Sequence, residues 1–370
     1  MAADMATDPT AELNDVLAQY DLGELVRFER DRRGTVNVSY YVETRQGTQR
    51  HEYFLRAYKR GIKRDEILFE HSLINHIVAR GGCPVARLHR ARNGSTFYRR
   101  PESAEDPEER FYAIFDFLHG EDRYTWVGPV CSHVELSNAG TLLAEFHKAG
   151  SSLQPEGQRA EPKILDLLEL IADAWAKSPS NSKGTRFDRF LFEHFDLVGR
   201  SIAETRSALH EPTVATLPRV IIHSDFHPGN LVFAGDEICG LVDFDWSKVD
   251  LRAFDVALAV WYFCASWDGD KDGHLRLADA STFLTAYQRR LLSRPGLSPL
   301  TVDEFAYLPH LINAGNIYIL YWTLRDYFGK DVDPQEYLKF LKHGIAFARW
   351  FSGPSQRQAL MAMLEDLPRA

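Results

Sequence analysis

A change of hydrophobic period near Gly120 constrains this chain more than any other feature. Across residues 25–58, short runs rich in Val, Tyr and Phe are punctuated by Gly34 and Gly47, which predicts three antiparallel strands joined by hairpins. Thr10 is placed to cap a lead-in helix reaching about Asp21, with Leu13, Leu17 and Tyr20 on one face. Residues 65–80 switch to helical spacing, with Ile67, Leu68, Leu73, Ile74 and Ile77 as the apolar stripe and Gly81-Gly82 as the stop. Two further strands are expected near residues 84–90 and 111–117, and the acidic stretch 101–110 between them reads as a solvated hairpin tip. Beyond Gly120 the pattern is helical over residues 133–147, 164–177 and 187–209, and again from Ala253 to the end. The expected fold is therefore α+β and bilobal. Residues 1–118 make a small lobe of lead-in helix, five-stranded sheet and one helix, residues 119–370 make a larger helical lobe, and the linker lies near residues 115–120.

Composition narrows the partners. The chain has 370 residues, 45% hydrophobic, which is enough for two cores, and its net charge of -9 disfavours a non-specific nucleic-acid binder, since phosphate backbones are held by excess Lys and Arg. Cys83, Cys131, Cys239 and Cys264 are widely spaced and include no Cys-x-x-Cys pair, so reduced thiols are expected. Residues 1–10 carry Asp4 and Asp8 and lack the basic start and apolar core of a signal or transit peptide, so a cytoplasmic location is expected. The most apolar stretches, 256–264 and 311–322, are too short or too interrupted to cross a bilayer. The expected assembly is a monomer or homodimer acting on a small molecule.

Within the helical half, one segment breaks the pattern. Val220-Ile221-Ile222 is an apolar strand signal that delivers His223-Ser224-Asp225 into a loop, and Pro228-Gly229 turns the chain before Asn230-Leu231-Val232-Phe233. Gly235-Asp236 turns a second hairpin, so Asp243 should return beside Asn230. Hard oxygen ligands then converge on one cation beside a third polar group, Asp225. That combination suits Mg²⁺-dependent phosphoryl transfer, in which the metal is held by oxygens and a carboxylate orients the attacking hydroxyl.

The pattern His223-Ser224-Asp225 with Asn230 five residues on, followed by Asp243-Phe244-Asp245, resembles the aminoglycoside phosphotransferase and choline kinase superfamily over nearly the whole chain. Within it the chain most resembles the homoserine kinase group, through Tyr20-Asp21-Leu22-Gly23, Phe117-Leu118-His119-Gly120, Leu142-Leu143-Ala144-Glu145-Phe146-His147 and Phe254-Asp255-Val256-Ala257. The resemblance implies a protein-kinase-like fold with a cleft between lobes that binds ATP and Mg²⁺. It implies that Asp225 is the catalytic base or hydroxyl orienter and that Asn230 and Asp243 hold the metal, with His223, Asp245 and Asp255 in support. It places Arg56 where many members carry a phosphate-binding Lys, with Glu70 as its partner, Gly34 in a reduced phosphate-covering loop, and Phe117 in the segment offering backbone groups to the purine. An Arg in place of Lys keeps the charge and changes the geometry.

Acidic residues clearly outnumber basic ones across residues 223–268, which leaves a negative field suited to an amine-bearing acceptor such as homoserine, an amino alcohol or an aminoglycoside. Two other classes fit parts of the chain. A catalytically silent nucleotide-binding scaffold would account for Arg56 and the thin glycine loop. A metal-dependent hydrolase would use His223, Asp225 and His227 as ligands. The aromatic run Trp261-Tyr262-Phe263, with Trp267, reads as core rather than as pocket lining.

Overall fold

Leu13, Val16 and Leu17 recur at three- and four-residue spacing and form the buried face of helix α1 (Thr10–Ala18). In the computed structural model, which describes residues 9–31, 36–101 and 109–369, this face packs with Tyr20 against Tyr40, Val42, Leu55, Tyr112 and Ile114. Those residues occupy one face of a sheet built from β1 (Glu24–Asp31), β2 (Val38–Gln46), β3 (Gln49–Ala57), β4 (Tyr98–Arg100) and β5 (Arg110–Asp116), with helix α2 (Arg64–Arg80) inserted after β3. The strand order is β1-β2-β3-β5-β4, antiparallel throughout. Because side chains alternate across a strand, Leu55 and Ala57 face α1 while Arg56 between them points to the opposite side and meets Glu70 of α2.

Two expectations about this sheet need correction. Residues 84–90 form no continuous strand; Leu88 makes an isolated bridge to Phe115, flanked by His89 N donating to Ile114 O and Asp116 N donating to Arg87 O, both at 2.9 Å. Pro84 offers no amide for a ladder, and Arg92 N donates to Gln19 O at 2.8 Å, which draws the chain toward the end of α1. The ladder partner of β5 is instead Tyr98–Arg100. Thr10 is the first residue of α1 rather than its cap, a position held by Pro9. Gly34 and most of the acidic stretch 101–110 lie outside the described residues.

The chain divides into two compact units. The first holds the described residues up to His119 and also Gln154–Arg159; the second holds Gly120–Leu153 and everything from Ala160 onward. In the second unit α3 (His133–Gly150) and α4 (Ile164–Lys177) are followed by α5 (Arg186–Glu193), α6 (Phe195–Leu209) and the short α7 (Pro212–Ala215). The single helix expected over 187–209 is broken at His194, whose ring N–H donates to the Phe190 carbonyl at 2.9 Å and whose backbone leaves helical geometry. Four short strands come next, β6 (Arg219–Ile222), β7 (Leu231–Ala234), β8 (Glu237–Leu241) and β9 (Lys248–Leu251), and then α8 (Arg252–Cys264), α9 (Leu277–Leu292), α10 (Val302–Gly329), α11 (Pro334–Ser352) and α12 (Pro354–Glu365). Every residue of α8 is buried. Its first residue, Arg252, is sealed with Glu304 of α10 in a two-pronged ion pair, and Arg252 also donates to Ser298 O at 2.6 Å. A charge removed from water is tolerable when its donors are satisfied in this way. Among the described residues no helix is long and apolar enough to cross a membrane.

One buried group makes the first unit sensitive to acid. His71 on α2 lies 2.9 Å from the Tyr58 hydroxyl through Nε2 and 2.7 Å from Thr96 Oγ1 through Nδ1. Burial, reinforced by the Arg56 and Arg159 guanidiniums, pushes its pKa from 6.5 down to about 3. Below pH 6.5 the unfolded chain binds a proton that the folded unit refuses until about pH 3, so stability is lost as pH falls through that window. At pH 5 this group alone should cost about 2 kcal/mol. Thermal melts at pH 7 and pH 5 should therefore show a smaller drop in Tm for His71→Asn than for wild type, and identical drops would assign the acid sensitivity to another group.

Candidate active site

The candidate site in the second unit is built from two separate two-stranded ribbons. Strand β7 pairs with β8 in the expected hairpin, and Leu231 faces Leu241. Val242 N donates to Asn230 O at 3.1 Å just beyond that pair, which brings Asp243 beside Asn230 in the chain. The apolar run Val220-Ile221-Ile222 belongs to the other ribbon: β6 pairs with β9, with Ile222 opposite Lys248. Strand β9 is absent from the expectations because Lys248-Val249-Asp250-Leu251 is half charged. Its charged members are nonetheless buried. Asp250 accepts from Ile164 N at 2.6 Å and from Arg219 Nη1 at 3.2 Å, and Lys248 Nζ donates to Pro162 O at 2.8 Å. Burial lowers the Lys248 pKa and raises that of Asp250.

The loop leaving β6 is held by a single carboxylate. Asp255 sits in the first turn of α8, where it accepts from Ser224 N at 2.7 Å through Oδ1 and from His223 N at 2.8 Å through Oδ2. The His147 Nε2 also meets Oδ2 at 2.9 Å, and His147 Nδ1 meets the Tyr287 hydroxyl at 2.8 Å. Ser224 has φ of 64°, a left-handed backbone that L side chains adopt only with outside support. The two amide bonds to Asp255 supply it. Asp243 has the same φ of 64°, so both turns flanking the site are left-handed at residues other than glycine.

With the loop fixed, Asp225 is presented half-buried among three polar side chains. Its Oδ1 accepts from the Tyr262 hydroxyl at 2.9 Å, its Oδ2 from Asn230 Nδ2 at 3.2 Å, and His227 Nε2 lies 3.6 Å from Oδ2. Asn230 Nδ2 also donates to Asp225 O at 2.9 Å. Burial by itself would raise the Asp225 pKa. The nearby His227 ring and the Tyr262 hydroxyl outweigh it, so the carboxyl is held below its usual 3.8 and stays ionised at neutral pH. Because Asn230 spends its amide nitrogen on Asp225, its carboxamide oxygen is left for an electropositive partner. Together with the Asp243 carboxylate it offers the hard oxygen donors that Mg²⁺ takes.

His223 is fully buried among Phe146, Phe226 and Phe244, and its Nε2 donates to Val242 O at 3.2 Å. Burial pushes its pKa down, so it is neutral and has no proton-transfer partner in reach. His227 accepts from Gly229 N at 3.0 Å through Nδ1. These commitments are structural and differ from those of paired zinc ligands. Among the described residues, no three His, Cys, Asp or Glu side chains gather as a metal site. Asp245 is half-buried, beside Trp246, whose ring lies 4.9 Å from that of Trp322.

In the first unit, Arg56 Nη1 meets Glu70 Oε1 at 3.0 Å. Glu70 Oε2 accepts from the Tyr58 hydroxyl at 3.2 Å, and Arg159 Nη2 lies 3.7 Å away. Phe117 follows β5 and stands edge-on to Tyr41 with ring centroids 5.2 Å apart. Tyr262 and Arg159 were missed by sequence reasoning. For Tyr262 a signal existed: it lies seven residues beyond Asp255, two turns along the same face of α8. Arg159 has no sequence cue, since it sits in a segment of Ser, Pro, Gly and Gln that reads as a solvated break.

A small five-stranded antiparallel sheet unit and a large helical unit carrying a polar loop of this form define the protein-kinase-like class. The chain belongs to the phosphotransferase enzyme family, whose model matches residues 27–297. It is 29% identical over 348 residues to a homoserine kinase from Afipia carboxidovorans, covering 92% of each chain. Among solved structures, a microcompartment-associated aminopropanol kinase matches with a TM-score of 0.65 at 16% identity, over 96% of this chain and 99% of that one. The amicoumacin kinase hAmiN, solved with AMP-PNP, Ca²⁺ and Ami, matches with a TM-score of 0.62 at 14% identity, over 98% and 96%. The resemblance seen in the sequence is thus a family relationship, and the protein is a small-molecule phosphotransferase.

The clamp on the loop generates a stability prediction. In Asp255→Asn one of the two carboxylate oxygens becomes an amide nitrogen facing donors, so a buried N–H is left unpaired. The expected cost is about 2–4 kcal/mol, read as a lower denaturant midpoint with unchanged slope. A midpoint within error of wild type would show that the loop holds its left-handed turn without Asp255.

Proposed function

We propose that the protein transfers the γ-phosphate of ATP to a hydroxyl of a small amine-bearing metabolite, with homoserine and short amino alcohols as the first acceptors to try. The observation that carries the reading is the fixed placement of an ionised Asp225 on a loop clamped by Asp255, its carboxylate held by the Asn230 amide and the Tyr262 hydroxyl. Further support comes from the names of the relatives, a homoserine kinase and an aminopropanol kinase, and from the nucleotide analogue and divalent ion bound by the amicoumacin kinase.

In this reading Asp225 accepts a hydrogen bond from the acceptor hydroxyl and aims its oxygen at the γ-phosphorus. The new P–O bond forms as the bond to the β–γ bridging oxygen breaks, and the hydroxyl proton passes to Asp225. A strong base is not required, because phosphoryl transfer through a loose transition state gains mainly from positioning. Tyr262 and Asn230 hold the carboxylate in one rotamer. Asn230 and Asp243 would hold Mg²⁺, which when bound neutralises phosphate charge. In the first unit, Arg56, held by Glu70, would meet phosphate oxygens of the nucleotide. The surplus of carboxylates across residues 223–268 favours an acceptor with an ammonium group.

The test is an acceptor screen with Mg-ATP on wild type and Asp225→Ala, using homoserine, aminopropanol, choline and aminoglycosides. Wild type should phosphorylate at least one of them, and the variant should be slower by about 10²–10⁴-fold. Equal product from both proteins removes Asp225 from the mechanism. Nucleotide binding without any acceptor turned over would favour a silent scaffold.

A further inference from the structure

Unit one contains a segment that the strand-and-helix pattern of the unit does not call for. The chain leaves the second unit after Leu153, contributes Gln154–Arg159 to the first, and rejoins the second at Ala160. This strap is seated on α2 by backbone contacts. Glu156 N donates to Ser72 Oγ at 3.2 Å. Gly157 has φ of 73° and approaches so closely that a Cβ there would stand 2.1 Å from Asp65 O, so only glycine fits. The strap ends by placing the Arg159 side chain, 5% exposed, against the buried Glu70 carboxylate.

Resting on the phosphotransferase reading above, we infer that Arg159 is a positioning residue for nucleotide binding by the first unit, acting through Glu70 on Arg56. A carboxylate facing one guanidinium tends to close both oxygens on it in a two-pronged pair. Here the carboxylate is divided: Oε1 meets Arg56, and Oε2 is turned to the Tyr58 hydroxyl and to Arg159. Glu70 is thereby fixed in one rotamer, which sets where Arg56 stands on β3. The neutral His71 beside Tyr58 fits the same picture, because both guanidiniums help keep it uncharged. A Lys at position 56 would present a point charge indifferent to how the carboxylate turns. An Arg is directional, so its partner must be oriented.

The test uses the full chain and measures binding of a non-hydrolysable ATP analogue with Mg²⁺, so the result does not depend on knowing the acceptor. Arg159→Gln should weaken analogue binding roughly tenfold, and Arg159→Lys should recover part of that loss. The double variant Arg159→Gln with Glu70→Gln should bind no worse than Glu70→Gln alone. Once an acceptor is found, Arg159→Gln should raise KM for ATP with kcat within about twofold of wild type. Unchanged analogue affinity in a folded Arg159→Gln protein overturns the inference, as does full additivity with Glu70→Gln. If wild type binds the analogue and phosphorylates no acceptor, the functional reading fails while the positioning role of Arg159 is still decided by the binding data.

Discussion

Two hydrogen bonds that consecutive backbone amides donate to Asp255 hold the loop that presents Asp225. Ser224 lies in a backbone region that costs energy for any residue with a Cβ, and the turn persists because a buried carboxylate takes both amides at once. That carboxylate is itself constrained. It belongs to a helix with no exposed residue, its second oxygen is shared with His147, and the helix start is pinned by Arg252 to Glu304. The direction of Asp225 is thus fixed by packing several residues away from it, as preorganised chemistry requires.

The site follows a division of labour that low dielectric makes necessary. Groups that hold geometry are buried and neutral or paired: His223 in its aromatic shell, the Asp250 and Lys248 side chains on β9, and the Arg252–Glu304 bridge. The group that meets the acceptor in our reading, Asp225, keeps partial access to solvent and an ionised carboxylate. Had His223 been exposed, the His-x-Asp pattern alone would permit acid–base or metal chemistry. Its burial leaves positioning as its contribution.

Much of this was legible in the sequence because it depends on local pattern. Period-two runs gave β1 to β3, helical spacing gave α2 and α3, and the turn residues Pro228-Gly229 and Gly235-Asp236 located the β7–β8 hairpin with Asn230 and Asp243 at one end. The pairing of Arg56 with Glu70, which the family resemblance implied, is present in the first unit. What escaped was non-local. Strand β9 is half charged and is a strand only because β6 lies beside it; residues 87–89 bridge one end of β5 without extending into a ladder, and Tyr98–Arg100 pairs with the other end; Arg159 reaches Glu70 from a stretch with no secondary structure. Tyr262 read as core, and it is core, with only its hydroxyl reaching Asp225.

Helix α8 carries Asp255 and Tyr262 two turns apart, one gripping the start of the loop and the other the side chain at its middle. That makes the helix a ruler. Removing or adding one residue between those positions rotates the far end by about 100° and swings the phenol off the carboxylate while leaving the backbone grip intact. Length variation among descendants of this chain is therefore confined to the segments that connect the helices, and any change of acceptor must be achieved without altering the length of α8.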